Sequence, residues 1–175
     1  MSHLRVIRLD EAHPTPPGAH PSLHALAAHA SPAPASLSLE GQVQNALNLV
    51  LPLKSPAQMP ALLRTLIAAQ PQIQAALRSL RYVHFARFLP SPDGSVLQTI
   101  TTYDGGLNAY TMDFVAVMGD VFTAVLRFIR GAPPLPVQKH PREFMAFVRS
   151  HNVPVGVWSA YPDLTVLEIQ RAASR

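Results

Sequence analysis

The sequence predicts a mixed α+β domain built on an antiparallel sheet, carried by residues 41–175. Three observations predict it. Residues 81–89 and 95–103 read as two strands joined by the tight turn Ser91-Pro92-Asp93-Gly94, a β-hairpin. Residues 107–130 read as one long amphipathic helix. A further period-two run, Leu47, Leu49, Leu51 and Leu53, precedes another helical stretch.

Taken in order, residues 45–54 form the first strand, with Pro52 favouring an edge or a strand end. Residues 55–80 form a helix that Ser55 caps, with Leu62, Leu63, Leu66, Ile67, Ile73, Ala76, Leu77 and Leu80 as its apolar face. Pro71 is expected to kink or break it at residues 69–70 and start a second piece. The hairpin follows, and Asp104-Gly105-Gly106 ends it. In the long helix Asp113, Asp120 and Arg127, spaced by seven, mark one solvated line, and Gly131 is its expected stop. A proline-rich link leads to a short helix over residues 142–151, with Pro141 in its first turn. Residues 155–161 and 164–170 are expected as short strands around the turn Tyr161-Pro162-Asp163. From residue 45 the order is β, α, β, β, α, an extra short α, then β. That is the ferredoxin-like split β-α-β repeat, one sheet with helices on one face. A second copy packed on the bare face would make a dimeric α+β barrel with an internal cavity.

Residues 1–40 differ from the rest. They hold six of the eighteen prolines and five of the eight histidines, and are read as a loosely ordered or partner-wrapping arm. Within it, residues 1–9 suit a short strand and residues 22–30 a helical turn. His20 and His24 share a spacing of four, but Pro21 intervenes and no third ligand follows at a metal-binding spacing, so no metal site is expected.

Composition excludes several classes. With 48% apolar residues the chain can build a core. The absence of cysteine excludes disulfides, thiolate metal sites and cysteine nucleophiles. The net charge of +4 comes from basic residues spread along the chain, not from a stripe, so nucleic acid is not the expected partner. No continuous apolar run approaches a bilayer span, and Asp10, Glu11 and Pro14 interrupt any secretory h-region, so a cytoplasmic protein without a membrane partner is expected.

Strand alternation sets His84 and Arg87 on opposite faces unless a bulge intervenes. His84 reads as an acid/base group or as a part-buried histidine bonded to a neighbour. Gln98, Ile100 and Thr102 share a face, which fits a substrate cavity or a wet edge strand. Asp104 reads as a carboxylate at a cavity mouth or as turn chemistry. His140, just before Pro141, reads as an axial iron ligand, an acid/base group or a helix-entry residue; His151 suits the negative end of that helix. Trp158 and Tyr161 read as interface or core residues.

The strand Val-His-Phe-Ala-Arg, the Asp-Gly turn, the second strand ending Tyr103-Asp104-Gly105 and the helix start with Tyr110, Asp113 and Phe114 resemble the dimeric α+β barrel superfamily, in particular a bacterial group related to haem peroxidases. Lys139-His140-Pro141-Arg142-Glu143-Phe144 and Tyr161-Pro162-Asp163-Leu164-Thr165-Val166 look similar to the same group, so the resemblance covers about residues 45–170. Dye-decolourising peroxidases of that superfamily carry Gly-x-x-Asp-Gly, whose Asp works on the distal side of haem. Here the stretch is Thr101-Thr102-Tyr103-Asp104-Gly105, without the first glycine. The resemblance implies a small-molecule oxidoreductase, peroxidase-like if haem is bound. His140 would be the haem ligand, His84, Arg87 and Asp104 the catalytic groups, and Gln98 and Thr102 the substrate cavity. The expected partners are a second copy of the chain and a small apolar or aromatic ligand. Because this fold hosts several chemistries, two alternatives stand: a non-catalytic ligand-binding or assembly module, and a cofactor-free monooxygenase-like enzyme.

Overall fold

A computed structural model describes residues 43–175; the arm, with the readings made for residues 1–9 and 22–30 and for His20 and His24, lies outside them. Strand β1 (Gln44–Pro52) leads through a 3-10 turn (Pro56–Gln58) into helix α1 (Met59–Leu80). The hairpin β2 (Val83–Pro90) and β3 (Val96–Asp104) follows, then α2 (Leu107–Leu126). A second 3-10 turn (Val137–Lys139) enters α3 (Pro141–His151), and α4 (Val166–Ala173) closes the described chain.

The sheet is antiparallel with β3 in the middle, in the order β1-β3-β2. Pleating divides its side chains cleanly. Leu47, Leu49 and Leu51, Thr99 and Thr101, and Ala86 and Phe88 face α1, α2 and α3 across a shared cavity. Neighbouring positions, such as Val50, Gln98, Ile100 and Arg87, point to the other face. The core lies on the helical side, where Leu62 of α1, Leu97 of β3 and Ile129 after α2 are fully buried.

The hairpin turn forms as the sequence requires. Gly94 takes φ +71°, a conformation that favours glycine, and the Asp93 carboxylate accepts from the Ser91 and Ser95 hydroxyls and the Ser95 N–H. These bonds, that from Ser91 first, pull the Asp93 carboxyl from 3.8 down to about 2. Because the folded value lies below the unfolded one, the stabilisation is present above about pH 4 and is lost as pH falls through about 2. In urea titrations, Asp93→Asn should flatten the acid limb of stability between those pH values; an unchanged limb would show that the turn carboxylate contributes nothing.

Several expectations change. The break at Pro71 does not occur, and α1 runs unbroken from Met59 to Leu80. Pro71 and Ile67, whose carbonyl the proline leaves without its donor, both lie on the solvent side, where water can replace the lost bond. Leu62, Leu66, Ile73 and Ala76 bury the other side in the core. Ser55 makes no side-chain cap and precedes the 3-10 turn, so Gln58 takes the N-cap position of α1; at its other end the helix closes on Arg81 in the left-handed region. The long helix stops at Leu126, four residues early. Residues 128–130 are drawn to the end of the sheet, where Ile129 bridges Leu53 and the Arg130 N–H donates to Pro52. Asp113, Asp120 and Arg127 are all exposed, as their spacing implied. Helix α2 is long and apolar enough to cross a membrane, but 56% of that stretch is buried inside the domain.

The largest correction concerns the last strand. Residues 155–161 form no strand, and residues 166–173 form α4 where a strand was expected. The reason is local. Thr165 and Glu168 build a reciprocal capping box, in which Thr165 Oγ1 accepts the Glu168 N–H and the Glu168 carboxylate accepts the Thr165 N–H. Beside β1 the segment after α3 contributes a single bridge, Leu49 to Asn152, with the Val153 N–H donating to the Asn48 carbonyl. Pro154 then ends the pairing, since it has no N–H to give. The described sheet therefore has three strands.

Candidate functional site

A register shift between Val83 and Phe85 decides where His84 goes. Val83 pairs with Tyr103, while Phe85 already pairs with Thr102, so His84 is the extra residue of a bulge. The bulge cancels the alternation that would separate His84 from Arg87. The His84 ring meets Asp104 on the open face, and Arg87 follows Phe85 by one pleat repeat on that same face.

The His84 Nε2 and Asp104 Oδ1 lie 2.7 Å apart, with side chains only 14% and 11% exposed. A carboxylate can only accept, so Nε2 carries the hydrogen and Nδ1 is left as the ring's basic nitrogen. Asp104 has a second duty: its Oδ2 accepts the Val166 N–H at 2.8 Å, the first residue of α4. Gln44, opposite Asp104 in the register, donates its side-chain amide to the carbonyls of Tyr161 and Leu164 at 2.8 Å each. The turn before α4 is thereby fastened over this end of the open face. Thr102, two residues before Asp104, is buried there with no hydrogen-bond partner for its hydroxyl among the described residues.

The remainder of this face is uncovered within the described residues. Gln98 and Arg87 are exposed, and Phe85 is 47% exposed. Beyond the bridge at Asn152, Val153, Val155 and Trp158 are exposed in turn, Trp158 by 85%.

His140 is elsewhere. The 3-10 turn before it packs on α2: a Cβ at Gly119 would meet the Gln138 side chain, the Gln138 amide donates to Asp120, and the Val137 N–H donates to Thr123. His140 then stands at the start of α3, 4.0 Å from Glu143. Helix α3 belongs to the layer on the far side of the sheet from His84. One protomer therefore cannot set His140 and the His84–Asp104 pair on two sides of a single haem, and these residues do not fit that group together. His151 bonds the Phe147 carbonyl and stacks near its ring, which accounts for it within α3.

The helical side holds a second feature that the sequence did not signal: a cavity of about 70 Å3. Gln98 and Thr102 do not line it; Thr99, Thr101 and Thr111 do, among apolar side chains. The Tyr110 hydroxyl donates to Thr101 at 3.0 Å, and its ring stacks on Tyr103 with centroids 3.8 Å apart. Burial, above all, raises the Tyr110 hydroxyl well beyond the ordinary phenol range, so it stays a donor. Compared with known proteins, the chain matches no protein-family model, no curated protein and no solved structure.

Proposed function

We propose that the domain is a small-molecule oxidoreductase working on the open face of the sheet without haem. The carrying observation is the bulge that sets His84 beside Asp104 on the face that also bears Arg87, Gln98 and Thr102. In this reading His84 Nδ1 removes a proton from an acidic hydroxyl or C–H group of a small aromatic substrate. Asp104 holds the ring in place through Nε2, and Arg87 steadies the anion produced. Dissolved dioxygen is the oxidant: a hydroquinone anion gives up two electrons and its second proton and becomes a quinone, and dioxygen takes the two electrons and both protons to become hydrogen peroxide.

The reading includes a ferredoxin-like origin for the sheet, supported by the order β1-β3-β2 and by α1 crossing between β1 and β2. It also includes a second copy of the chain over the open face. The exposed Phe85, Val155 and Trp158 support that part, since such side chains gain from burial against a partner.

A second reading rests on the other oxygen of Asp104. Its bond to the Val166 N–H makes the His84–Asp104 pair a fastening for α4. On that view the domain is a non-catalytic binding or assembly module.

The test is oxygen consumption with a substituted hydroquinone as substrate, read with an electrode. Uptake above the uncatalysed rate that falls by about 100-fold or more in His84→Ala, and also falls in Arg87→Ala, supports the enzyme reading. Absence of uptake, or uptake indifferent to His84, overturns it. A shifted Soret band on adding hemin that is lost in His140→Ala would return the haem reading in its place.

A further inference from the structure

We infer that the cavity on the helical side of the sheet is a separate binding site for an uncharged, phenol-sized ring carrying one polar atom. It is independent of the open-face chemistry, from which the sheet divides it. Three observations define the ligand.

The first is size. The cavity of about 70 Å3 is about half the volume of an engineered core cavity that takes up benzene, so a single small ring is the largest ligand it admits, and the wall must give as the ring enters. The second is the wall. No charged side chain lines it, so a charged ligand would enter without a counter-ion. Instead, aromatic rings run along one side. Tyr110 and Phe114 have centroids 4.5 Å apart, Phe114 and Phe122 6.1 Å, and Phe122 and Phe144 5.4 Å. Such walls favour a flat ring, which can present edge or face to them.

The third is Thr111. It lies in α2, is 3% exposed and contributes to the cavity wall, and its hydroxyl has no hydrogen-bond partner among the described residues. A buried helical threonine ordinarily bonds the carbonyl four residues back. Thr65 of α1 does so, donating to Ala61 at 3.1 Å. Thr111 forgoes that bond, and an unmade buried bond is a standing cost. Thr101 nearby already accepts from Tyr110. The hydroxyl of Thr111 is therefore the group a ligand's polar atom would satisfy, and a hydroxyl on the ring could donate to it or accept from it.

The test compares phenol, benzene and benzoate by NMR titration of the full chain, following the methyl groups of Leu47, Val121 and Val148. The expected result is saturable binding of phenol, about tenfold weaker binding of benzene, and none of benzoate. Thr111→Val keeps the shape and removes the hydroxyl. It should bring phenol and benzene to equal affinity and raise the melting temperature of the unliganded protein, because the unpaired hydroxyl is gone. His84→Ala should leave phenol binding unchanged. No saturable shift at these methyls, binding of benzoate as strong as phenol, or a phenol preference that survives in Thr111→Val would each overturn the inference. Loss of phenol binding in His84→Ala would overturn the separateness of the site.

Discussion

Leu97→Ala lowers the unfolding free energy by about 3–5 kcal/mol, an effect of the size seen when a well-packed leucine is emptied from a core that cannot collapse. Leu97 is fully buried on β3, the central strand, and its backbone faces Leu51 of β1 on one side and Pro90 of β2 on the other. Both neighbours are fixed by the ladder, so the surroundings have little freedom to fill the space. Urea unfolding followed by circular dichroism checks this. The midpoint should fall while the denaturant dependence stays the same. Ile67→Ala, on the solvent side of α1, is the control and should change stability by less than about 0.5 kcal/mol. A Leu97→Ala loss below about 1 kcal/mol would contradict this packing of the central strand.

Asp104→Asn separates the two roles of Asp104. The asparagine oxygen can still accept the Val166 N–H, so α4 keeps its anchor. The amide nitrogen then faces His84 Nε2 and donates to it. That forces the ring hydrogen onto Nδ1, the nitrogen that has to take the substrate proton. A wrong tautomer of this kind removes general-base catalysis, so oxygen uptake should fall by about 100- to 10,000-fold with little change in stability. Asp104→Ala removes both bonds, leaving the Val166 N–H and the histidine without their acceptor, and should cost about 1–3 kcal/mol as well. If the pair is only a fastening for α4, the asparagine variant leaves function unaltered and the alanine variant differs from wild type in stability alone. Activity and urea midpoints of the same two proteins decide between these outcomes.

Local chemistry was legible where it acts alone. The hairpin could be read because Ser91, Asp93, Gly94 and Ser95 complete their own bonds within five residues. Helix α2 could be read because Asp113, Asp120 and Arg127 mark a single solvated line. Helix α4 was not read: residues 164–170 were expected as a strand, although Thr165 and Glu168 stand at capping-box spacing.

The candidate site was legible as a set of residues more than as an arrangement. His84, Arg87, Asp104, Gln98 and Thr102 were all named from the sequence, but simple alternation divides His84 from Arg87. A bulge leaves no unmistakable sequence mark at Val83–Phe85, because it depends on how β2 meets β3. The same holds for His140, whose position before Pro141 could be read, whereas its side of the sheet follows from the docking of Gln138 and Val137 on α2. The cavity around Thr111 had no sequence signal at all, since its wall is assembled from β1, β2, β3 and three helices.

By itself, then, the sequence determined the turns, most of the helices and the mixed α+β class, because each depends on residues within a few positions of one another. Tertiary structure alone decided that the segment after α3 pairs with β1 by one bridge only, that α1 continues through Pro71, and that His84 joins Asp104 on the open face. Those outcomes depend on register and packing between segments distant in the chain. There, a single extra residue in one strand sends a side chain to the other side of the sheet.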